Sequence, residues 1–478
     1  MHEKSAAEQS RLFSDGQLSA KEIVDHYLAR IDRHNGEVGA FLTTLDAQEQ
    51  AKRLDEKRAK GEPLGKMAGA VVAIKDNIHI KDEITTCASK FLTNYKAPFD
   101  ATVVRQLRDA DAILIGKTNL DEFAMGSSNE HSALLETRNP WDLKLTPGGS
   151  SGGSAVAVAA RLAPLSLGSD TGGSIRLPAS FCGLFGFKPT YGRVSRYGLV
   201  AFGSSLDQIG PFAAHPEDIA LIMEVLGQPC AKDSTSLPDP GQSYDLSKRP
   251  EKLKVGVPWS LLQEGLDKEV EANFRSSLDQ LGAEIVEVDL PTIEHSIAIY
   301  YILASAEAST NLSRFDGVRY GQRAESETLD QVYDLSRRAG FGPEVKRRIL
   351  LGTFVLSAGY QDAFYRQAQR VRSVMIGEFK KAFDQVDLVA MPTAGAPAFE
   401  RGAKRDPLTE YLTDLYTISA NLAGLPAISV PTGFSSEGRP LSLQLLGPQR
   451  ADVEVVQAAA LLADRNEAYR KLPPGFER

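Results

Sequence analysis

Cysteine is scarce: Cys87, Cys182 and Cys230 are the only three in 478 residues, and they are scattered. That excludes a disulfide framework and a cysteine-based metal site, and it fits a reducing cytoplasm. Long hydrophobic runs are missing too. Arg161 interrupts the best apolar stretch, so none reaches the ~18 residues of a membrane span. The opening "MHEKSAAEQS" is charged and lacks the apolar core of a signal peptide. Positive charge is not in excess. The net charge is −8 and no basic patch dominates, which argues against direct binding of nucleic acid through its phosphates. Histidine, the commonest general base, is also rare. His2, His26, His34, His79, His131, His215 and His295 lie in no motif of their own.

The length allows about three domains or one large α/β unit. "SAKEIVDHYLARIDRHN" (19–35) predicts an amphipathic helix, with Ser19 and Glu22 as a capping box and Ile23, Tyr27 and Ile31 on one face. A second, charged helix is expected over 46–60. "GAVVAIKDNI" (69–78), "DLVAMPTAGAPA" (387–398) and "AISVPTGF" (427–434) read as short buried strands. Residues 101–119 read as helix then strand, and the segment after 250 as strand–helix–strand. Strands alternating with helices predict an α/β fold with a mixed, largely buried sheet. The Pro-, Gly- and Ser-rich stretch at 227–250 reads as a loop or linker, and about 295–380 as mainly helical.

"GGSSGGS" (148–154) has four glycines and three serines and feeds directly into the small, apolar "SAVAVAARLA". A flexible spacer would not run into packed structure. A Walker loop needs a lysine after its glycines, and a dinucleotide fingerprint needs a different glycine register. Gly-Gly-Ser recurs in "SLGSDTGGSIRLPASFCG" (166–183). Glycines beside a serine let backbone N–H groups converge on one point, as an oxyanion hole requires. Such a serine needs a base. Gly148–Gly152 matches the G-x-S-x-G nucleophile elbow, whose triad would call on His215 or His295, neither in a fitting context. The alternative is Lys75, which ends the buried-strand pattern "VVAIKDN". It acts as a base only if burial lowers its pKa. A lysine snorkelling out from the strand end is the competing explanation, and the residues alone leave both open.

A lysine ending a strand, then "GGSSGGS", then "GSDTGGSIR" with "FCGLFGFKPTYGRVS" behind it, resembles the amidase signature family. The resemblance spans roughly residues 20–470, with Ser150 lying 75 residues after Lys75 and Ser174 a further 24 along. It implies the amidase-signature fold: a large mixed central β-sheet covered by helices on both faces. An N-terminal helical segment (1–65) would pack on a catalytic domain (66–478), with a mainly helical substrate side at about 295–380. It also implies a Ser–cis-Ser–Lys triad. Ser174 would be the nucleophile, Lys75 the ultimate base, and Ser150, on a cis peptide, the relay. Backbone N–H groups of Thr171, Gly172, Gly173 and Ser174 would form the oxyanion hole.

"NLDEFAMGSSNEHSA", "RVSRYGLVAFGSSLDQIGP", "EASTNLSRFDGVRYG" and "GFGPEVKRRILLGTF" resemble one branch of that family. Its members hydrolyse glutamine inside tRNA-dependent amidotransferases. The branch implies glutamine as substrate and no cofactor or metal in this chain. It implies a B subunit that binds tRNA and uses ATP and Mg²⁺ to amidate Glu-tRNA(Gln) or Asp-tRNA(Asn), and a small C subunit. Arg348 would hold the α-carboxylate of glutamine and Asp414 its α-ammonium, with Arg347 easily confused with Arg348. Met125, Gly126, Ser127 and the Tyr300–Tyr301 pair would line the pocket. A stand-alone amidase of the same family, acting on aryl, peptide or fatty amides, would need no such clamp. The chain departs from the branch at His131, where a small polar residue is expected, and in its short tail after "RNEAYR".

Overall fold

A computed structural model of the chain describes residues 1–262, 265–403 and 411–477. An eleven-stranded mixed sheet forms its centre. The strands are β1 (Phe41–Thr44), β2 (Val71–Lys75), β3 (Ile113–Thr118), β4 (Leu165–Asp170), β5 (Phe185–Lys188), β6 (Gln208–Ala213), β7 (Lys254–Val257), β8 (Glu284–Glu287), β9 (Leu388–Pro392), β10 (Ala427–Phe434) and β11 (Pro440–Leu446). Across the sheet their order is β1-β3-β2-β4-β6-β5-β10-β11-β9-β7-β8.

β2 carries the functional argument. Its Val-Val-Ala-Ile run is apolar on both faces, and all five residues are buried, as a strand covered on both sides requires. It runs parallel to β3 and β4, with Ile74 beside Leu167. The C-terminal ends of β2 and β4 therefore lie together. They bring Lys75 to the same sheet edge as Ser169 and Asp170, the edge where open α/β sheets bind ligands.

Helices α1 (Ala6–Ser14), α2 (Ala20–Val38) and α3 (Ala47–Ala59) begin the chain. α2 has the expected capping box: Ser19 Oγ accepts from the Glu22 N–H, and the Glu22 carboxylate accepts from the Ser19 N–H. The first 65 residues are not purely helical, because they also supply β1, which pairs antiparallel with β3. A four-residue strand that is buried only at Phe41 and exposed at both Thr43 and Thr44 has too little periodicity to stand out.

α4 (Thr102–Asp109) precedes β3, and α5 (Gly152–Ala159) follows the first glycine loop. Every residue of α5 is buried. Its small Ala and Val side chains share one apolar cluster with Ile23, Tyr27 and Ile31 of α2. Arg30 of α2 also donates to the carbonyls of Ala160 and Arg161 at the far end of α5, at 3.1 and 2.8 Å, which satisfies acceptors the helix leaves open. The N-terminal segment thus braces the helix on which the glycine loop is mounted.

α6 (Arg176–Cys182) follows the second glycine loop, then α7 (Pro216–Leu226) and α8 (Lys268–Leu281). β7, α8 and β8 form the strand–helix–strand unit, with β7 and β8 parallel. α9 (Ser296–Asn311), α10 (Leu329–Gly340), α11 (Pro343–Leu356) and α12 (Gln367–Phe383) occupy the helical stretch. α13 (Ile418–Leu422) and α14 (Asp452–Arg465) complete the named helices. Among the described residues, no helix is long and apolar enough to cross a membrane.

Candidate active site

Lys75 closes β2 with its side chain wholly buried. Its Nζ lies 2.8 Å from Ser150 Oγ, 2.8 Å from Ser151 Oγ and 2.9 Å from Ser169 Oγ. Burial disfavours the charged form. It pushes the Lys75 pKa down to about 7, against the opposing pull of Asp121, Asp170 and Asp207. An amine partly neutral at that pH can accept a proton.

The partners fix which hydroxyl can give it one. Ser151 Oγ donates to the Ser169 carbonyl at 3.1 Å, so its oxygen accepts from Lys75. Ser169 Oγ also accepts from Asn77 Nδ2 at 2.9 Å. Ser150 Oγ has no second hydrogen-bond partner among the described residues. Its proton can therefore point at the lone pair of a neutral Lys75 while its oxygen stays open to accept from a further hydroxyl. That combination is offered neither by Ser151, whose proton is committed, nor by Ser169, whose oxygen already accepts from Asn77.

The peptide between Gly149 and Ser150 is cis. The Gly149 N–H donates to the Ser127 carbonyl at 2.8 Å, and the Ser150 carbonyl accepts from the Asp121 N–H at 3.1 Å. Glycine is required at 149 by close approach, because a Cβ there would stand 2.0 Å from Asp121 Oδ2.

The second loop leaves the end of β4. Its Ser174 carbonyl accepts from the Ser151 N–H at 3.2 Å, which ties the two glycine loops together. Ser174 keeps 9 % of its surface exposed, whereas Lys75 and Ser150 keep none. Of the three side chains, Ser174 is the one a substrate can reach. Its hydroxyl makes no hydrogen bond among the described residues, so the expected Ser174–Ser150 link is not closed here. Hydrogen bonds of this kind are often long without substrate and tighten in the complex.

The four expected oxyanion-hole donors are not equivalent. The Gly173 N–H donates to Asp170 Oδ1 at 2.8 Å. The N–H groups of Thr171, Gly172 and Ser174 donate to nothing among the described residues. The physical reason is Asp170, which also accepts from the Ile175 N–H at 3.2 Å and so folds the loop around its own carboxylate. Burial would raise the Asp170 pKa, but a two-pronged ion pair with Arg176 (3.1 and 3.0 Å) holds it down at about 2. Arg176 is fully buried and reaches on to the Thr417 carbonyl at 2.8 Å and Asn421 Oδ1 at 2.6 Å. Sequence reasoning missed this brace, along with Ser151, Ser169 and Asn77. The signal was available: Asp170 and Arg176 are charges flanking Gly-Gly-Ser in a small, apolar run, and such charges are rarely buried without a partner.

Two chains of contact lead from these loops to the other expected residues. Ser127, whose carbonyl holds Gly149, donates its hydroxyl to Asp414 Oδ2 at 2.6 Å. Thr417, one turn beyond Asp414, donates to the Gly172 carbonyl at 2.7 Å and crowds Gly173, where a Cβ would lie 2.2 Å from Thr417 Oγ1. On the other side Tyr300 covers Gly172, with its ring 2.7 Å from where a Cβ would be. Tyr301 follows on α9 and carries Arg348 over its ring, 4.3 Å from the centroid. Met125 is fully buried in the apolar core with Phe123 and Tyr300. Gly126 lies against Asp121.

The two arginines are clearly different. Arg348 is 3 % exposed, and its Nε donates to Glu344 Oε1 at 2.6 Å, one turn back on α11. Its Nη1 is buried without a hydrogen-bond partner. Arg347 pairs with the other oxygen of Glu344, but 49 % of its side chain is exposed. The elbow alternative finds no support. His295 is exposed, His215 packs its ring edge against Tyr469 at 5.8 Å, and neither bonds a loop serine.

The amidase family model matches residues 22–456. The A subunit of glutamyl-tRNA(Gln) amidotransferase from Protochlamydia amoebophila (strain UWE25) is 58% identical over 97% of this chain and 96% of its own length. The protein of the same name from Chlamydia pneumoniae is 53% identical over 96% and 94%. The crystal structure of the corresponding glutamyl-tRNA(Gln) amidotransferase chain from Thermotoga maritima superposes with a TM-score of 0.82 at 40% identity, covering 99% of this chain and 98% of that one. With the lysine–serine cluster at the end of β2 and a matching span that runs from α2 into α14, the chain belongs to the amidase family.

Proposed function

We propose that this chain is the glutaminase component of a tRNA-dependent amidotransferase. It hydrolyses glutamine and supplies ammonia to a B subunit that amidates Glu-tRNA(Gln), Asp-tRNA(Asn) or both. A small C subunit completes the assembly. ATP and Mg²⁺ are used by the B subunit, and the chemistry of Lys75, Ser150 and Ser174 calls on no cofactor. The free cysteines fit a cytoplasmic setting.

The observation that carries glutamine over other amides is Arg348. A buried guanidinium with one nitrogen unpartnered is costly, by about 1–3 kcal/mol or more. A carboxylate supplied by the substrate removes that cost. Asp414, already tied to Ser127, offers the opposite charge for an α-ammonium. A stand-alone amidase with an aryl or fatty substrate has no use for that pair.

In this mechanism Ser174 Oγ attacks the side-chain carbonyl carbon of glutamine. Its proton passes to Ser150 Oγ as the Ser150 proton passes to neutral Lys75. The oxyanion that forms is met by the N–H groups of Thr171, Gly172 and Ser174, with Gly173 held back by Asp170. Lys75, now charged, returns the proton through Ser150 to the leaving nitrogen, and ammonia departs. Water, deprotonated by the same relay, then cleaves the glutamyl ester of Ser174 and releases glutamate.

The test uses the assembled three-subunit enzyme with ATP and Glu-tRNA. Ser174→Ala abolishes glutamine hydrolysis and glutamine-dependent amidation. It leaves amidation from added ammonium chloride within a few-fold of the unaltered enzyme. Loss of both would sink the division of labour. Retention of glutaminase activity would remove Ser174 as nucleophile.

A further inference from the structure

Glu344 is a buried carboxylate shared by several donors. Its Oε1 accepts from Arg348 Nε at 2.6 Å and from the Tyr411 hydroxyl at 3.2 Å, and its Oε2 pairs with Arg347. It is 3 % exposed. Burial alone would raise its pKa, but Arg348 and Arg347 beside it hold it below the ordinary carboxylate range. Glu344 is therefore an anion at neutral pH.

Its effect on Arg348 is geometric. A guanidinium can grip a carboxylate in two ways: side-on, through Nε and one terminal nitrogen, or end-on, through Nη1 and Nη2. Glu344 occupies Nε, which removes the side-on mode. Tyr301 and Tyr411, stacked on each other at 3.9 Å, present their rings to the guanidinium at 4.3 and 5.1 Å. The guanidinium is thus held at Nε and against its faces, and Nη1 remains buried and unpartnered. Glu344 and Arg348 sit four residues apart on α11, on one helix face, so the brace is built into the helix itself.

We propose that Glu344 is a positioning residue for glutamine recognition: by holding Arg348 at Nε, it leaves the end-on edge of the guanidinium for the α-carboxylate of the substrate. This rests on the reading of Arg348 as the carboxylate ligand. Arg347 also pairs with Glu344, but half of its side chain is in water, so within the dry part of the site Glu344 and Arg348 balance each other in charge. Attraction for the substrate then comes from directed hydrogen bonds in a dry site more than from net charge, so orientation is what a variant must lose.

Steady-state kinetics of four forms of the assembled enzyme test this, with free glutamine and a short neutral amide such as butyramide as substrates. Glu344→Ala raises KM for glutamine by ~10- to 100-fold, the range for a lost charge-assisted hydrogen bond, with kcat changed far less. Glu344→Gln, whose amide oxygen can still accept from Nε, stays within ~3-fold of the unaltered KM, because shape and acceptor survive. Arg348→Ala reports on the underlying reading. If it raises KM while Glu344→Ala does not, the positioning role is wrong. If Arg348→Ala leaves KM unchanged, the carboxylate reading fails and the proposal with it. Equal losses in Glu344→Ala on both substrates mean structural damage and overturn the proposal. A Glu344→Gln variant as poor as Glu344→Ala does so too, since charge rather than orientation would then matter.

Discussion

Two buried cations flank this site, and burial has opposite outcomes for them. Lys75 is surrounded by the hydroxyls of Ser150, Ser151 and Ser169, all neutral, and its pKa falls to about 7. Arg348 is almost as deeply buried, yet its pKa is raised, because burial is outweighed by tyrosine rings and the Glu344 carboxylate against it. Side-chain chemistry adds to the difference. An ammonium is strongly hydrated and gives up its proton when dried, whereas a guanidinium is weakly hydrated and keeps its charge. Depth alone does not choose the base. The partners do: they leave Lys75 partly neutral near pH 7 and keep Arg348 charged, as the proposed roles of proton acceptor and anchor require.

Exchanging the two chemistries gives the largest expected effect. Lys75→Arg keeps a cation at the end of β2 but cannot be deprotonated. Glutaminase kcat/KM falls by at least ~10³-fold, within the range for losing a general acid–base group, nearly as far as in Lys75→Ala. A Lys75→Arg enzyme that keeps most of its activity would make Lys75 an electrostatic support. The same residue sets the pH profile. Only neutral Lys75 accepts the Ser150 proton, so kcat/KM for glutamine rises about tenfold per pH unit below ~7 and levels off above it. Stability changes in the same direction. Between about 7 and ~10.4, its value in an unfolded chain, the unfolded form holds more protons at this position, so the contribution of Lys75 to stability increases with pH. A flat profile between pH 6 and 8 would separate Lys75 from the rate-limiting chemistry.

The anchor comes next. Arg348→Ala leaves a substrate carboxylate without its partner in a closed site, at a cost of about 2–5 kcal/mol. kcat/KM for glutamine then falls by roughly 30- to 4,000-fold. Kinetics on glutamine and a neutral amide in parallel check this, and the loss on glutamine exceeds the loss on the amide. Equal losses would make Arg348 a structural residue and weaken the case for glutamine.

The proposed base was easier to pick out in the sequence than the proposed anchor, for physical reasons. Lys75 is a charge at the end of an unbroken apolar strand, and Ser150 and Ser174 lie in glycine loops that few other roles explain. β2, β9, β10 and α2 stood out through the same apolar patterning. β4 did not, because Gly168, Ser169 and Asp170 disfavour a strand locally and are held there by pairing with β6, while β2 pairs only with Leu165, Ser166 and Leu167. The Asp170–Arg176 brace spans only six residues, and its signal was two charges in an apolar run. The hydroxyl cage around Lys75 joins residues from separate segments, and no local pattern reports such contacts. Arg347 and Arg348 were indistinguishable because Glu344 stands three residues from one and four from the other, and both spacings make helix pairs.

That last ambiguity yields the smallest expected effect. Arg347 and Arg348 share Glu344 as partner, but half of the Arg347 side chain faces water. An exposed ion pair is screened and costs side-chain entropy to hold, so it contributes only ~0.2–1 kcal/mol. Removing it leaves Glu344 paired with Arg348 and bonded to Tyr411, so no buried charge is stranded. Arg347→Ala therefore changes KM for glutamine by no more than ~5-fold, even though the substitution is chemically the same as Arg348→Ala one residue along. The KM ratio of the two variants measures how much of the anchor comes from burial. A ratio near one would mean that the paired Glu344, and not the buried edge of Arg348, governs binding. A ratio below one would exchange the roles of the two arginines.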